Sequence, residues 1–177
     1  MNNFVKITGG TYRGRRLKTP GDKTHPMGER ERIALFNMIL DYLPDVTVID
    51  AYAGSGALGI EAISRGASKV IFVENNPVAM RTIKGNFADL GISDEQVEFY
   101  QMSVGNFESD VEADIILADP PYDNFKVEEI EKIADTCLKT EGLLVLSHPD
   151  GIVDLPGMEL LKTRKYARAH ISIYRKN

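Results

Sequence analysis

From residue 46 onward, short aliphatic and β-branched runs alternate with longer segments whose apolar residues recur at helical spacing. Strands that alternate with amphipathic helices in this way predict a parallel sheet covered by helices on both faces. The predicted strands span 46–50, 69–74, 96–101, 114–118 and 142–147, and the predicted helices span 57–65, 77–90 and 127–138.

The first forty residues do not follow this pattern. Val5, Ile7 and Leu17, with glycines between them, predict a hairpin-like arm over residues 4–18. A polar joint at 19–26 then leads to a predicted helix. The apolar face of that helix is formed by Ile33, Leu35, Phe36, Ile39 and Leu40.

The tail contains two strand-like segments, 158–163 and 168–175, without a helix between them. Strands joined this closely pair antiparallel, so we predict a hairpin on the edge of the sheet. The fold class is therefore α/β: a Rossmann-like, mostly parallel sheet with an antiparallel C-terminal strand and a short basic N-terminal β/helix extension. Residues 1–40 form the extension and 41–177 the sheet domain, as parts of one unit.

Composition excludes several classes of protein. The chain has 177 residues, 43% of them hydrophobic and 27% charged, which suits one folded domain and not a disordered chain. Its aliphatic runs are too short to span a bilayer, and its start does not resemble a signal peptide. Cys137 is the single cysteine, so an internal disulfide and a cysteine-based metal site are excluded. We expect a cytoplasmic monomer without a metal or a membrane partner.

The net charge of −5 is distributed very unevenly. Residues 1–32 carry eight bases and three acids, and residues 162–177 carry six bases and no acid. Because exposed charges are screened beyond about 8 Å, a polyanion responds to such local patches more than to the net charge. The arm is therefore a candidate RNA- or DNA-binding element. Its candidate contacts are Arg13, Arg15, Arg16, Lys18, Arg30 and Arg32.

A glycine-rich loop follows the first predicted strand, and residues 54–59 match the pattern G-x-G-x-x-G. Such a loop at a helix N-terminus binds the pyrophosphate of a dinucleotide, and equally the carboxylate of an amino-acid-like cofactor. Asp50 at the strand end favours a cationic ligand such as S-adenosylmethionine over a pyrophosphate, and Glu74 ends the next strand where ribose hydroxyls bind. The candidate cofactor-binding residues are Asp50, Tyr52, Ala53, Gly54, Ser55, Gly56, Glu74, Asn75 and Ser103.

The second motif is Asp119-Pro120-Pro121-Tyr122, at the carboxyl end of the fourth predicted strand. Ligands of open α/β sheets bind beyond the carboxyl ends of the strands, so this motif should face the same crevice as the glycine loop. The Asp119 carboxylate and the Pro120 carbonyl can accept both N–H groups of an exocyclic amine and turn its lone pair toward a methyl donor. Two prolines stiffen that backbone, and Tyr122 offers a ring on which an extruded base can stack. The two motifs together predict an N-methyltransferase.

These residues resemble the RsmD-type 16S rRNA guanine-N2 methyltransferases over nearly the whole chain. The opening 7–17, the block containing Arg30 and Arg32, the loop 53–59 with Glu61-Ala62, and the tetrapeptide 119–122 are each similar to blocks of that family. The chain departs from the family pattern at His25-Pro26-Met27 and at Ile33. Ser103 lies close to the position at which many methyltransferases have an aspartate that bonds the adenine amine of the cofactor.

The resemblance implies a class I methyltransferase fold for 41–177 and S-adenosylmethionine as cofactor. It implies methylation of N2 of a guanine, of the position-966 type, in the 16S rRNA of the 30S subunit or its assembly intermediate. The rival hypotheses are a methylase of DNA adenine N6 or of protein glutamine N5, an NAD-binding oxidoreductase, and a non-catalytic rRNA-binding assembly factor.

Overall fold

The computed structural model describes residues 4–21, 27–149, 151, 153–166 and 169–177. Its strands are β1 (Phe4–Lys6), β2 (Arg16–Lys18), β3 (Thr47–Ala51), β4 (Lys69–Val73), β5 (Val97–Tyr100), β6 (Ala113–Ala118), β7 (Leu138–His148), β8 (Met158–Lys165) and β9 (His170–Lys176). Its α-helices are α1 (Glu29–Met38), α2 (Ala57–Ser64), α3 (Pro77–Leu90) and α4 (Val127–Cys137). The part of the predicted joint at 22–26, with His25 and Pro26, lies outside the described residues, as does Arg168.

The central sheet has the order β5-β4-β3-β6-β7-β9-β8. The strands from β5 to β7 pair in parallel, whereas β9 pairs antiparallel with both β7 and β8. The parallel core and the antiparallel C-terminal hairpin are therefore confirmed. The carboxyl ends of β3, β4, β6 and β7 meet along one edge of the sheet, which we call the crevice edge.

Helices cover both faces of the sheet, as the alternation predicts. On one face, residues of α1, α2 and α3 pack against Val48, Phe72 and Val145. On the other face, α4 packs against Ile49 and Ile116. Successive strand residues point to opposite faces, so both faces need apolar side chains, and this explains the nearly continuous apolar runs.

The arm is a β1–β2 antiparallel pair, as predicted, and its backbone is held firmly to the rest of the chain. Val5, Ile7 and Leu17 belong to the same buried cluster as α1 and α2. At the C-terminal end of α2, the Ser64 hydroxyl donates to the Gly9 carbonyl at 2.6 Å. The boundary at residue 40 stays a prediction, but residues on both sides of it share this cluster.

The predicted apolar face of α1 is wrong in part. Ile33 is 37% exposed and Leu40, just after the helix, is 46% exposed, whereas Arg32 is only 2% exposed. The Arg32 guanidinium donates to the Lys6 carbonyl at 2.7 Å and lies 3.6 Å from the Glu61 carboxylate. A long charged side chain can occupy an interior position where an ion pair and hydrogen bonds offset part of the cost of desolvation, and apolar spacing does not reveal those partners.

No helix among the described residues is long and apolar enough to cross a membrane.

Candidate active site

Acidic side chains from neighbouring strands converge at the crevice edge. Asp50 lies near the end of β3, Glu74 directly follows β4, and Asp119 directly follows β6. Desolvation raises the pKa of Asp50 well above its ordinary value; the Gly59 N–H opposes this rise, and the charges of Asp119 and Glu74 add to it. A cation bound among these carboxylates relieves their mutual repulsion, whereas an anionic pyrophosphate increases it.

The glycine loop turns through left-handed backbone conformations at Tyr52, Gly54 and Gly56, with φ of 62°, 56° and 76°. The Gly56 N–H donates to the Ala53 carbonyl at 2.7 Å, which closes the turn before α2 begins. A Cβ at Gly54 would meet only the Tyr52 carbonyl oxygen, at 3.9 Å, while one at Gly56 would press against Ile83 at 3.1 Å. Open space in front of Gly54 allows a ligand to approach the backbone there.

Glu74 holds the loop in place. One carboxylate oxygen accepts the Gly54 N–H at 2.8 Å, and the other accepts the Asn76 N–H at 2.7 Å. Asn76 in turn caps the start of α3 through its side chain. A carboxylate oxygen has two acceptor positions, so each can still accept a ribose hydroxyl, and the predicted contact stays compatible with this geometry.

Asp50 makes a contact that the sequence did not predict. It is 1% exposed, and its carboxylate accepts the Gly59 N–H at 2.8 Å, in the first turn of α2. An acid at this place stabilises a helix N-terminus. This burial contradicts a direct, open contact between Asp50 and a cofactor ammonium group.

The remaining predicted cofactor residues surround the loop. Ala53 and Ser55 are buried, Asn75 is exposed, and Ser103 is half-buried before a short 3₁₀ turn. Tyr52 donates its hydroxyl to Glu129 of α4 at 2.8 Å, and burial, together with this bond, raises the pKa of the phenol. The ring of Tyr52 is thereby anchored beside the loop, and its predicted role as a cofactor lid remains a prediction.

The tetrapeptide 119–122 leaves β6 at the crevice edge. Desolvation raises the pKa of Asp119 to about 6, a hydrogen bond from Ser147 lowers it in part, and the negative charge of Glu31 raises it. The Pro121 carbonyl accepts the Asn124 N–H at 3.0 Å. Among the described residues, no hydrogen bond uses the Pro120 carbonyl, so this acceptor is available beside the Asp119 carboxylate.

Ser147 is a site residue that the sequence reasoning missed. It is 2% exposed near the end of β7, the strand next to β6. Its hydroxyl lies 2.6 Å from the Tyr122 hydroxyl and also bonds the Asp119 carboxylate. The available signal was its place beside His148, at the carboxyl end of a strand that neighbours the tetrapeptide.

The predicted RNA contacts divide into two groups. The side chains of one group are exposed: Arg13, Arg15, Arg16, Lys18 and Arg30. Arg32 forms the other group, and its prediction as an RNA contact is wrong, since burial and the Glu61 ion pair keep its guanidinium from a phosphate.

Asn86 of α3 joins the arm to the cofactor loop. Its amide accepts the Lys18 N–H at 2.8 Å and donates to the Lys18 carbonyl at 2.9 Å and the Ser55 carbonyl at 3.1 Å. The side chain is 2% exposed. The position of the basic arm is thus coupled to the loop by a single buried amide.

No group of three or more His, Cys, Asp or Glu side chains within the described part of the chain is arranged to hold a metal ion.

The chain is similar to known proteins over most of its length. Residues 5–175 match the model of a family described as conserved hypothetical protein 95. The chain is 31% identical to a putative rRNA methyltransferase, YlbH, of Bacillus subtilis, over 97% of this chain and 99% of that protein. It is 35% identical to ribosomal RNA small subunit methyltransferase D of Haemophilus influenzae, over 67% of this chain and 64% of that protein. Among solved structures, a putative methyltransferase, yhhF, of Escherichia coli is similar with a TM-score of 0.87 and 25% identity, over 98% of both chains.

Proposed function

This chain belongs to the RsmD-type methyltransferase family, and we propose that it transfers a methyl group to N2 of a guanine in 16S rRNA, the position-966 type. The observation that carries the proposal is the Asp119, Ser147 and Tyr122 cluster beside a glycine loop at the crevice edge. The proposed substrate is the 30S subunit or its assembly intermediate, bound by a cytoplasmic monomer.

S-adenosylmethionine is the methyl donor of this family, and it supplies an electrophilic methyl group on a cationic sulfonium. The residues present fit it: the space in front of Gly54 accommodates a ligand against the loop, and the carboxylates around it favour a cation. In the proposal, Glu74 accepts hydrogen bonds from the ribose hydroxyls. The backbone of residues 53–56 holds the amino-acid end, and Asn75 and Ser103 lie toward the adenine.

The tetrapeptide orients the acceptor amine. A guanine N2 lone pair is delocalised into the ring and is a poor nucleophile until the amine is turned. In the proposal, the Asp119 carboxylate and the Pro120 carbonyl each accept one N–H of this amine, which directs the lone pair at the methyl group. Tyr122 stacks on the extruded base, a contact worth about 1–3 kcal/mol. Alignment of the two reactants supplies most of the rate enhancement.

Methylation of the amine also releases one proton, which a nearby group must accept. As the N–C bond forms, the carbon–sulfur bond of the donor breaks, and the amine becomes acidic. The Asp119 carboxylate, which already accepts an N–H, receives this proton. A pKa of about 6 makes it a stronger base than an ordinary aspartate at neutral pH.

The exposed cations of the arm and of α1 contact the RNA. Arg13, Arg15, Arg16, Lys18 and Arg30 bind phosphates, which adds affinity with little sequence discrimination. Lys18 is exposed and pairs with an exposed Asp89, so a phosphate can replace that partner at little cost.

The experiment is methyl transfer from labelled S-adenosylmethionine to 30S subunits isolated from cells that lack this gene, followed by nucleoside mass spectrometry. Label in N2-methylguanosine at one site of 16S rRNA, absent with Asp119→Ala, supports the proposal. Label in DNA or protein instead would replace the substrate with one of its rivals. No label on any acceptor would overturn the enzymatic function.

A further inference from the structure

The strand β8 forms one edge of the central sheet, and its last residues reach the crevice edge. The register pairs Lys165 with His170, and His170 with His148, which directly follows Ser147 in β7. The end of β8 is therefore level with the active site and two strands away from β7. The arm lies toward the other side, where Lys18 contacts α3 and α3 packs on Phe99 of β5.

The last four residues of β8 carry three exposed cations: Lys162, Arg164 and Lys165. None of the ion pairs among the described residues involves them. By contrast, Arg175 of the adjacent strand pairs with Glu159 at 3.1 Å. The crevice end of β8 thus presents positive charge that pairs with no acidic side chain in the described part of the chain.

The direction of these side chains follows from the register. Lys162 and Arg164 pair with Ile173 and Ile171, which are buried on the face that α1 covers. Cross-strand partners point to the same side of a sheet, so both cations lie along the α1 face, where Arg30 is also exposed. They are about 7 Å apart along the strand, a spacing comparable to that of successive phosphates. Lys165 pairs with His170 and points to the opposite face, but as the last residue of β8 it lies at the same crevice end of the strand.

Lysines on an edge strand can also serve to prevent sheets from joining edge to edge. That role alone would distribute the charges along the whole edge. Here the first half of the edge, Met158 to Leu161, contributes no cation, although Leu161 is 37% exposed. The charges instead collect at the crevice end, which favours binding of a ligand there.

We propose that Lys162, Arg164 and Lys165 of β8 form a second phosphate-binding surface for the substrate RNA, on the side of the active site opposite the arm. The inference rests on the proposed function and extends it: the RNA spans the crevice and is held on both sides of the extruded guanine. Contacts on two sides resist the rotation of the RNA that contacts on one side alone permit.

The test is the salt dependence of binding between the full chain and a 16S rRNA fragment that the wild-type protein methylates. Each phosphate contact with single-stranded RNA contributes about −0.7 to the slope of log affinity against log salt. Removal of three contacts therefore makes this slope less negative by about 2. We expect this change in a Lys162→Gln, Arg164→Gln, Lys165→Gln variant, with unchanged affinity for S-adenosylhomocysteine. The single variant Arg164→Gln provides the same test with less change to β8, and we expect its slope to be less negative by about 0.7.

The matched control removes three cations that have acidic partners. In Lys69→Gln, Lys132→Gln, Lys139→Gln, the wild-type side chains pair with Glu98, Glu108 and Asp114. The net charge changes equally, and the expected slope is that of the wild type. Equal slopes for the β8 variants and this control would overturn the inference, as would a β8 variant that self-associates while its monomer keeps the wild-type slope. If the wild-type protein methylates no rRNA, the proposed function itself fails.

Discussion

The hydroxyl groups of Tyr122 and Ser147 lie 2.6 Å apart, although the two residues belong to different elements and are 25 positions apart in the chain. Because Ser147 also bonds the Asp119 carboxylate, one buried hydroxyl from β7 connects both ends of the tetrapeptide. This arrangement fixes the position of the acceptor carboxylate relative to the aromatic ring. A base must contact both groups at once to be methylated.

Replacement of Asp119 by Asn should lower the rate of methyl transfer by at least about 100-fold, since an amide accepts hydrogen bonds less well and cannot take the proton. Cofactor affinity should change little, because Glu74 and the glycine loop hold the cofactor. Single-turnover kinetics and titration with S-adenosylhomocysteine measure the two effects separately. A rate equal to the wild type would contradict the assigned role of Asp119.

The rate should fall as the pH drops below about 6, where the Asp119 carboxylate becomes protonated. A protonated carboxyl group is a weaker hydrogen-bond acceptor for the amine N–H and cannot take up the proton that the amine releases. A bound cationic donor favours the ionised form, so the acid limb of kcat should lie at lower pH than that of kcat/KM. The pH profiles of both constants test this, and identical limbs would argue against a cation next to Asp119.

Asp119→Asn should also stabilise the protein at alkaline pH. The pKa of about 6 exceeds the ordinary value of 3.8, so the folded chain binds this proton more tightly than the unfolded chain. The unfolding free energy therefore decreases as the pH rises from about 4 to 6, with a total cost on the order of 2–3 kcal/mol above that range. Thermal denaturation should show a gain of about 5–10 °C for the variant at pH 8 and little gain near pH 4.

Ser147→Ala should shift the acid limb of the pH–rate profile upward, because the hydrogen bond that lowers the Asp119 pKa is lost. Burial of Asp119 and the negative charge of Glu31 remain and keep that pKa raised. Ser147→Thr keeps a hydroxyl and should restore the limb in part. A uniform loss of rate with an unchanged limb would mean that Ser147 only supports packing.

Asn86→Ala should lower both stability and cofactor affinity. It leaves three backbone partners on Lys18 and Ser55 without their hydrogen bonds, at a cost of about 1–3 kcal/mol. The control is Asp89→Ala on the same helix, which removes an exposed ion pair with Lys18 worth less than about 1 kcal/mol. Urea denaturation and S-adenosylhomocysteine titration compare the two. Unchanged affinity in a folded Asn86→Ala protein would argue against coupling between the arm and the loop.

The sequence by itself determined the strands, the helices, the glycine loop and the tetrapeptide. These features depend on local physics: strand and helix periodicities, turn residues, and a motif placed after a strand. The parallel pairing of the core followed as well, because strands that alternate with helices favour it, whereas the strand order came from the tertiary structure.

Only the tertiary structure decided which distant residues share the site. Arg32 has the charge expected of an RNA contact, yet its side chain is buried, where it pairs with Glu61 and donates to the Lys6 carbonyl. Asn86 has no local signal, and for Ser147 the only signal is its place at the carboxyl end of a strand, because the roles of both residues depend on partners that the sheet and the helices bring within hydrogen-bond distance. Periodicity reports which face of an element is buried, whereas the pairing of buried polar groups depends on what lies opposite them.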